Sequence, residues 1–216
     1  MKLCWGVCCL LLTLTLEAAL SPTTWTPEGY YDGAVLWQQR SLVVCWENPS
    51  ARTEQQQRLV QEALLSSWQQ ASTIDFVGFQ ACAQTAQPNI RVYIADEAPF
   101  TLGLGKRLDA VEGGVVLNLL FAKWGSRCHV APLSVESCIK SMAMHEFGHV
   151  LGLAHEQNRD DRAADCVEPA QGDEENPIKV GSFDRESVMN YCYDGVYRSS
   201  LSAGDVHTLQ QMYGVR

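Results

Sequence analysis

The sequence predicts an α+β fold built on a mixed, largely parallel β-sheet. Ser41–Trp46 is an apolar, β-branched run that stops at Asn48-Pro49, as a strand does. Residues 53–68 then repeat apolar side chains at helical spacing, and Ile74–Phe79 is a second strand. A helix between two strands indicates a crossover, which joins parallel strands.

The later elements follow the same logic. Ile90–Ile94 and Gly114–Leu119 are apolar enough to be the third and fourth strands. Ser137–Leu151 has the length and apolar spacing of a helix, whereas residues 157–187 have little periodicity and are expected to form a long irregular loop. The chain closes with a helix that Ser202 and Asp205 cap and Gly214 ends.

The N-terminus has the features of a secretory signal peptide. A single Lys2 precedes an apolar run over residues 3–16, and small residues follow up to about Ser21. Residues 22–216 are then expected to form a single domain, which begins with an extended segment at 22–33. No later stretch is long and apolar enough for a transmembrane span, so we expect a secreted protein without a membrane anchor.

Cysteine usage fits an oxidising compartment. Three of the nine cysteines belong to the predicted signal peptide, and an even number remains, namely Cys45, Cys82, Cys128, Cys138, Cys166 and Cys192. The sequence alone does not select among the pairings. Proximity along the chain favours Cys45 with Cys82, Cys128 with Cys138 and Cys166 with Cys192. None of them has a CxxC spacing, which argues against a cysteine metal site.

The net charge of −9 argues against a nucleic-acid partner, because phosphate binding needs a clustered basic surface. The acidic residues of the loop at 157–187 raise the alternative of a calcium site. They lack the alternating spacing of a calcium loop, so a solvated charged loop is the preferred interpretation and calcium is unsupported. We expect the protein to be a monomer.

Three of the five histidines fall between residues 145 and 156. His145 and His149 are four residues apart, so on a helix both imidazoles face the same side and reach one ion at about 2.0–2.1 Å. Glu146 points about 100° away, beside the ion, where it suits a base. Gly152 can end the helix in a left-handed conformation, which turns His155 back as the third ligand.

Three imidazoles leave one position of a tetrahedral zinc ion open, as in a catalytic site. A bare HExxH pattern also arises by chance on amphipathic helices. The glycine and the third histidine at fixed spacing argue against coincidence, so the sequence predicts one catalytic zinc ion.

Two separated motifs resemble one clan of enzymes. The pattern HExxHxxGxxH at 145–155, followed by Ser-Val-Met-Asn-Tyr at 187–191, resembles the metzincin zinc endopeptidases and their Met-turn. The run His-Glu-Gln-Asn-Arg-Asp at 155–160 is similar to the astacin family, as is a tyrosine two residues after the Met-turn methionine. The closing segment, 201–214, resembles the last helix of matrixins as much as that of astacins.

The resemblance implies a twisted five-stranded mixed sheet with two long helices above a small irregular C-terminal lobe, with zinc in the cleft between them. The upper subdomain would be 22–152, including the zinc helix, and the lower one 153–216. In such a fold an antiparallel edge strand binds an extended substrate by backbone pairing. The segment assigned to it here is Gly114, Val115, Val116, Leu117, Asn118 and Leu119.

The resemblance also implies roles for single residues in a secreted endopeptidase. Glu146 would be the general base, and the hydroxyl of Tyr191 would donate to the oxyanion. Met189 would form an apolar floor under the metal, and Glu156 would receive the mature N-terminus in a buried ion pair. A packed tyrosine and an ordinary core methionine are the simpler alternatives for Tyr191 and Met189. Astacins usually have histidine where this chain has Asn190.

Two rival functions stay open at this point. A catalytically weak secreted binding protein could share the fold, but loss of the base is the simplest route to it and Glu146 is intact. A zinc hydrolase of another bond type is the second rival, because only the family analogy favours peptides. No recognisable latency motif precedes the domain, although Asp32 beside Gly33 could serve as a plug for the metal.

Overall fold

A computed structural model gives the fold for residues 28–172 and 174–216. The predicted signal peptide, 1–21, lies outside these residues. Within them, no helix combines the length and the apolar character needed to cross a lipid bilayer.

Six strands and two helices lie in the first half of the described chain, and both helices fall between the second and third strands. The strands are β1 (Glu28–Asp32), β2 (Ser41–Trp46), β3 (Asp75–Ala81), β4 (Ile90–Ile94), β5 (Phe100–Thr101), β6 (Val115–Leu117) and β7 (Pro177–Gly181). The helices are α1 (Glu54–Ser66), α2 (Trp68–Ala71), α3 (Val135–Leu151) and α4 (Ala203–Tyr213). Short 3₁₀ turns occupy much of the connections.

The main sheet has the strand order β3-β2-β4-β6-β5. All its pairs are parallel except β5 with β6, which is antiparallel. α1 crosses between the parallel strands β2 and β3, and α1 and α3 pack on one face of the sheet to form the core. The predicted α+β fold with a mixed, mostly parallel five-stranded sheet and two long helices is therefore confirmed.

The assignment of residues 114–119 to the edge of the sheet is wrong. β6 lies between β4 and β5, and its three residues are buried. The side chain of Asn118 turns back to accept hydrogen bonds from the N–H groups of Leu120 and Phe121. The antiparallel edge strand is β5, whose two residues are too few to show any periodicity. A continuous apolar run such as 115–117 is typical of a central strand.

A second, two-stranded sheet was not predicted from the sequence. β1 pairs antiparallel with β7. Part of the N-terminal segment expected to be extended (22–33) and part of the loop expected to be irregular (157–187) therefore form a two-stranded ribbon. β1 also contacts the residues that follow α3, because Asp32 N–H donates to the carbonyl of Gly152 and Ala154 N–H donates to that of Tyr30, both at 3.0 Å. The ribbon thus fixes the course of the chain after the zinc helix.

Three disulfides fasten the connections, and they join the neighbouring cysteines that proximity favours. Cys45–Cys82 links β2 to the end of β3, and Cys128–Cys138 fastens the first turn of α3. Cys166–Cys192 ties the long loop to the segment after residue 191. A loop closed by a disulfide loses conformational freedom mainly in the unfolded chain, which stabilises the folded one.

Asp32 is a structural residue in this fold. Its side chain is buried and accepts hydrogen bonds from the backbone N–H groups of Ala34, Glu175 and Asn176 at 2.8–3.1 Å. Burial would raise the pKa of Asp32, but the bonds from these N–H groups outweigh it and lower the pKa. The carboxylate therefore holds the start of β7 to the end of β1 and is not directed to a metal.

Asp32→Asn should lower the free energy of unfolding by roughly 1–3 kcal/mol at neutral pH, because an amide donor would then face a backbone N–H. The lowered pKa of Asp32 means that its contribution is present at neutral pH and lost as the pH falls through that value. In urea unfolding, the difference in the free energy of unfolding between wild type and variant should thus become smaller as the pH falls. The exposed Asp160→Asn is the control, and a variant as stable as wild type at pH 7 would contradict the role.

Candidate zinc site

The first two histidines lie on the inner face of α3, near its end. The helix begins with a capping box in which Ser134 and Ser137 exchange side chain to backbone hydrogen bonds. One helical turn brings the rings of His145 and His149 to 4.9 Å between centroids. Both side chains are buried, and their Nδ1 atoms face the backbone carbonyls of Val188 and Leu153.

A tight turn after α3 brings the third histidine back. Gly152 has a φ of 100°, a left-handed conformation that favours glycine. Its N–H donates to the carbonyl of His149, and Leu153 N–H donates to that of Gly148, both at 2.9 Å. This pair of bonds is the Schellman motif that ends many helices. Together with β1 it directs the chain so that His155 returns to the other two rings.

The three imidazoles converge through one nitrogen each. Nε2 of His155 lies 3.2 Å from Nε2 of His145 and 3.0 Å from that of His149. Each Nδ1 faces a backbone carbonyl, that of Val188 at 2.7 Å, of Leu153 at 2.9 Å and of Gln171 at 3.1 Å. A carbonyl only accepts, so each Nδ1 carries the proton and each Nε2 presents a lone pair.

Lone pairs at such short distances repel one another unless a cation lies between them. Zn–N bonds of about 2.0–2.1 Å at tetrahedral angles separate two nitrogens by roughly 3.3 Å, close to the observed distances. Within the described ranges, these three histidines form the one cluster of potential ligands with such geometry. The site therefore fits a zinc ion with three imidazole ligands.

Burial keeps all three histidines neutral, the form in which they bind metal. It lowers the pKa of His145 to about 3, with His155 adding to the effect, and that of His155 to about 4. The pKa of His149 falls well below its usual value for the same reason, reinforced by the other two rings. No proton has to leave Nε2 at neutral pH before a metal binds.

Glu146 follows the first ligand and is also buried, and burial raises its pKa to about 8. Glu146 lines two neighbouring cavities, of about 330 Å³ and about 490 Å³, which between them are also lined by the three histidines. A divalent ion nearby favours the ionised form of such a carboxyl group.

The predicted Met-turn, residues 187–191, contacts the ligand His145 and the residue that follows His155. Val188 supplies the carbonyl for His145, and the carbonyl of Met189 accepts from Glu156 N–H at 3.1 Å. The side chain of Met189 is buried against the helix at Gly148, where a Cβ atom would come within 2.3 Å of its sulfur. Met189 therefore packs under α3 at the glycine that separates Phe147 from the second ligand.

The Met-turn is fixed in turn by the first turn of α4. The carboxylate of Asp205 accepts from the hydroxyl of Ser187 at 2.6 Å, from Val188 N–H at 3.0 Å and from Ser202 N–H at 2.9 Å. Burial raises its pKa to about 6. The sequence predicted Asp205 only as part of a helix cap, and the same carboxylate also orients the carbonyl that holds His145.

Tyr191 lies against the metal ligands. Its ring centroid is 4.9 Å from that of His145 and 4.6 Å from that of His155, and its side chain lines both cavities. Its backbone N–H donates to the side chain of Gln157 at 3.2 Å. Burial and the charge of Glu146 raise the pKa of its hydroxyl, which therefore stays protonated at neutral pH and can donate a hydrogen bond.

Glu156 is buried, and besides this burial two nearby acidic residues, Asp184 and Asp205, raise its pKa. One oxygen accepts from Asp184 N–H at 3.2 Å and lies 3.7 Å from Nε of Arg159, while the other has no hydrogen-bond partner among the described residues. Burial raises the pKa of Glu156 to about 8. Arg159 is buried as well and donates to the carbonyls of Gly29 and Gly181, which joins the ribbon to the site.

Asn190 has a structural role here. Its amide donates to the carbonyl of Asp184 at 3.1 Å, and its oxygen accepts from Cys192 N–H at 3.0 Å. The residue that departs from the usual astacin pattern is thus buried below the cleft and shapes the turn around Tyr191.

Two cavities meet at Glu146 and Tyr191. The first has a volume of about 330 Å³ and is lined by Ala98, Pro99, Trp124, Met142, His145, Glu146, Glu168, Gln171, Tyr191 and Tyr197. The second, of about 490 Å³, is lined by Glu146, His149 and His155 together with residues 99–104 and Gln171, Gly172 and Glu174 among others. The edge strand β5 forms one wall of the cleft and residues 168–172 form the other.

The acidic loop gives no support for calcium. Asp160 pairs with Lys179 at 2.6 Å, Asp161 with Arg159 at 2.8 Å and Asp165 with Arg185 at 2.9 Å. Their side chains are thus engaged with cations of the protein, and in the part of the chain that the structure describes only the histidines form a metal-binding group.

The segment that carries this geometry matches a known family. The sequence model of the Astacin peptidase family matches residues 125–198, from before α3 to beyond the Met-turn. Over this segment the chain is similar to the astacins. The match confirms the predicted enzyme class, a zinc metalloendopeptidase with protein or peptide substrates. The matrixin-like character of residues 201–214 is not confirmed, because they lie beyond the matched segment.

Solved structures share the fold at low sequence identity. A structure of myroilysin is 15% identical, with a TM-score of 0.59 over 87% of this chain and 100% of that one. High choriolytic enzyme 1, a hatching enzyme zinc-protease from the medaka fish Oryzias latipes, is 16% identical, with a TM-score of 0.52 over 85% of this chain and 96% of the other. No curated protein sequence matches the chain.

Proposed function

We propose that this protein is a secreted zinc endopeptidase in which Glu146 is the general base. The observation that carries the proposal is the position of Glu146, which lines the cleft beside three neutral, convergent histidines. A base must be within reach of the water it activates, and this is the only carboxyl group of α3 that lines the two cavities.

The chain's own residues divide the chemistry between them. When bound, the zinc ion supplies a Lewis acid that polarises the scissile carbonyl and lowers the pKa of water. Glu146 takes the proton of the attacking water and delivers it to the nitrogen of the leaving amine, so the carboxylate is restored. The burial of Glu146 away from bulk water keeps this proton between enzyme and substrate.

Tyr191 is proposed to stabilise the oxyanion. Its hydroxyl is protonated and its ring lies against two of the ligands, so it can reach an oxygen held beside the metal site. A donor aimed at the developing negative charge favours the transition state over the substrate.

The substrate is proposed to pair with β5, which replaces residues 114–119 in this role. Antiparallel pairing with an exposed edge gives the substrate backbone its hydrogen bonds. Residues 98–99 line the first cavity and residues 99–104 line the second, so Pro99 borders both. A substrate that runs antiparallel to this strand therefore places the residues before the scissile bond in the second cavity and those after it in the first.

The first cavity favours an apolar side chain after the scissile bond. Trp124, Met142 and Tyr197 are among its apolar and aromatic lining residues, and none of its lining residues is a lysine or arginine. Its ionisable groups besides His145 and the tyrosine side chains are the acids Glu146 and Glu168. A substrate carboxylate there would be partly desolvated with no lysine or arginine among the lining residues to pair with it, which is unfavourable.

The protein is also proposed to be secreted and to have a mature N-terminus that binds inside the fold. The predicted signal peptide and the three disulfides both fit an oxidising compartment, and the protein is proposed to act there as an unanchored monomer. The unpartnered oxygen of Glu156 is proposed to receive the mature N-terminal amine, as in astacins. The region 22–216 is proposed to be a single catalytic domain.

Glu146→Gln should abolish peptide-bond cleavage, with the rate falling by roughly 10³-fold or more, because an amide cannot accept the proton of water. Zinc content and melting temperature should stay close to wild type, since the side chains are nearly isosteric. The matched control is Glu136→Gln, an exposed carboxylate in the first turn of the same helix. Activity of the Glu146→Gln enzyme equal to wild type would sink the proposal, and a wild type without peptidase activity would favour a binding protein.

Tyr191→Phe should lower kcat by about 10²-fold and leave KM nearly unchanged, since the hydrogen bond forms only in the transition state. Steady-state kinetics on one peptide measure both constants. Tyr93→Phe, an exposed tyrosine on the outer face of the sheet, is the control. A Tyr191→Phe enzyme with unchanged kcat would leave Tyr191 as a packing residue.

A peptide library should show cleavage before apolar and aromatic residues, with Asp and Glu at that position disfavoured roughly tenfold or more. Glu168→Lys should raise the relative cleavage before Asp and Glu, whereas Glu54→Lys, the same change of charge on the exposed face of α1, should not. Preferred cleavage before acidic residues by the wild type would refute this assignment of the cavity.

A further inference from the structure

The third ligand is oriented by a different kind of partner from the first two. Val188 and Leu153, whose carbonyls accept from His145 and His149, are both buried in the fold. Gln171, whose carbonyl accepts from His155, is exposed on the wall of the cleft. This wall segment, residues 168–172, has no helix or strand of its own. Its backbone therefore needs hydrogen-bond partners from outside the segment to hold the Gln171 carbonyl in position.

Asn158 holds that backbone at Gln171. Its Nδ2 donates to the carbonyl of Gln171 at 2.7 Å, and its Oδ1 accepts from the N–H of the same residue at 2.9 Å. The side chain thus pairs with both polar backbone groups of one residue, as a neighbouring strand would. Nδ2 also donates to the carboxylate of Glu174 at 2.8 Å.

The same carbonyl therefore serves two donors. It accepts from Nδ1 of His155 and from Nδ2 of Asn158, and it has two lone pairs for them. Asn158 is itself fixed to the third ligand, since its N–H donates to the carbonyl of His155 at 3.0 Å. The ligand, the asparagine and the wall segment form a closed ring of hydrogen bonds.

We propose that Asn158 is a positioning residue that couples the wall of the cleft to the third zinc ligand. The proposal rests on the zinc site of the proposed function but not on its hydrolytic step. Partners of metal-bound histidines fix the tautomer and orientation of the ring, and their loss typically weakens metal binding about 10–100-fold. The coupling is reciprocal, so zinc must order the wall to the extent that the ordered wall favours zinc.

Hydrogen exchange measures this coupling in the wild-type protein. The amide of Gln171 should exchange slowly with zinc bound and faster, by roughly tenfold or more, after chelation, because its acceptor Asn158 is released with His155. The amide of Val43 in the main sheet is the internal control, because it also donates to an asparagine side chain, Oδ1 of Asn89 at 2.9 Å, but contacts neither the wall nor a histidine. Exchange of Gln171 that does not change with zinc would overturn the proposal without any variant.

Variants separate the coupling from general stability. Asn158→Ala should bind zinc roughly 10–100-fold more weakly in competition with a chelator, and its Gln171 amide should exchange fast with or without zinc. Asn158→Asp keeps an acceptor for that amide but places a carboxylate against a carbonyl and Glu174. It should retain part of the protection while binding zinc as weakly as the alanine variant. Asp160→Asn, in the same turn, should behave as wild type.

Zinc affinity of Asn158→Ala within about twofold of wild type would refute the proposal, since loss of such a partner should cost more. Both readouts are independent of hydrolysis. An enzyme that shows the zinc-dependent exchange but no Glu146-dependent cleavage would therefore contradict the proposed function and leave this inference standing.

Discussion

Three backbone carbonyls, of Val188, Leu153 and Gln171, determine what the site can do. Each accepts a hydrogen bond from Nδ1 of one histidine, which fixes the proton there and turns the Nε2 lone pair inward. Without these acceptors, three buried neutral imidazoles could take either tautomer and several ring orientations. With them, Nε2 of His155 comes within 3.2 Å of Nε2 of each of the other two histidines, a geometry that a divalent cation relieves.

Contacts from three separate parts of the chain hold these carbonyls in position. The carboxylate of Asp205 fixes the turn that presents Val188, and β1 with the left-handed turn at Gly152 fixes Leu153. Asn158 fixes Gln171 on the cleft wall. The parts of the chain that supply them are distant in sequence, so folding and metal binding depend on the same contacts and should be thermodynamically linked.

The sequence carries only the local part of this organisation. Spacing of four on a helix, a glycine at its end and a third histidine made the ligands and Glu146 predictable, as apolar runs did for the parallel strands. Strand β5 was not predictable, because two residues show no period. In the β1–β7 ribbon, β1 lacks apolar alternation, and β7 alternates only over Ile178, Lys179 and Val180, which is too short to predict a strand. The acceptors of the histidine protons were hidden in principle, since every residue carries the same carbonyl. Asp205 and Asn158, which place two of them, have the sequence of an ordinary helix cap and turn residue.

X-ray absorption at the zinc edge, on protein loaded with one equivalent of zinc, tests the central claim most directly. The structure predicts three imidazole nitrogens at about 2.0–2.1 Å and one further oxygen from solvent, with no sulfur. A sulfur ligand, fewer than three imidazoles, or a fourth ligand from the protein would contradict an open site built by these three histidines and the carbonyls behind them.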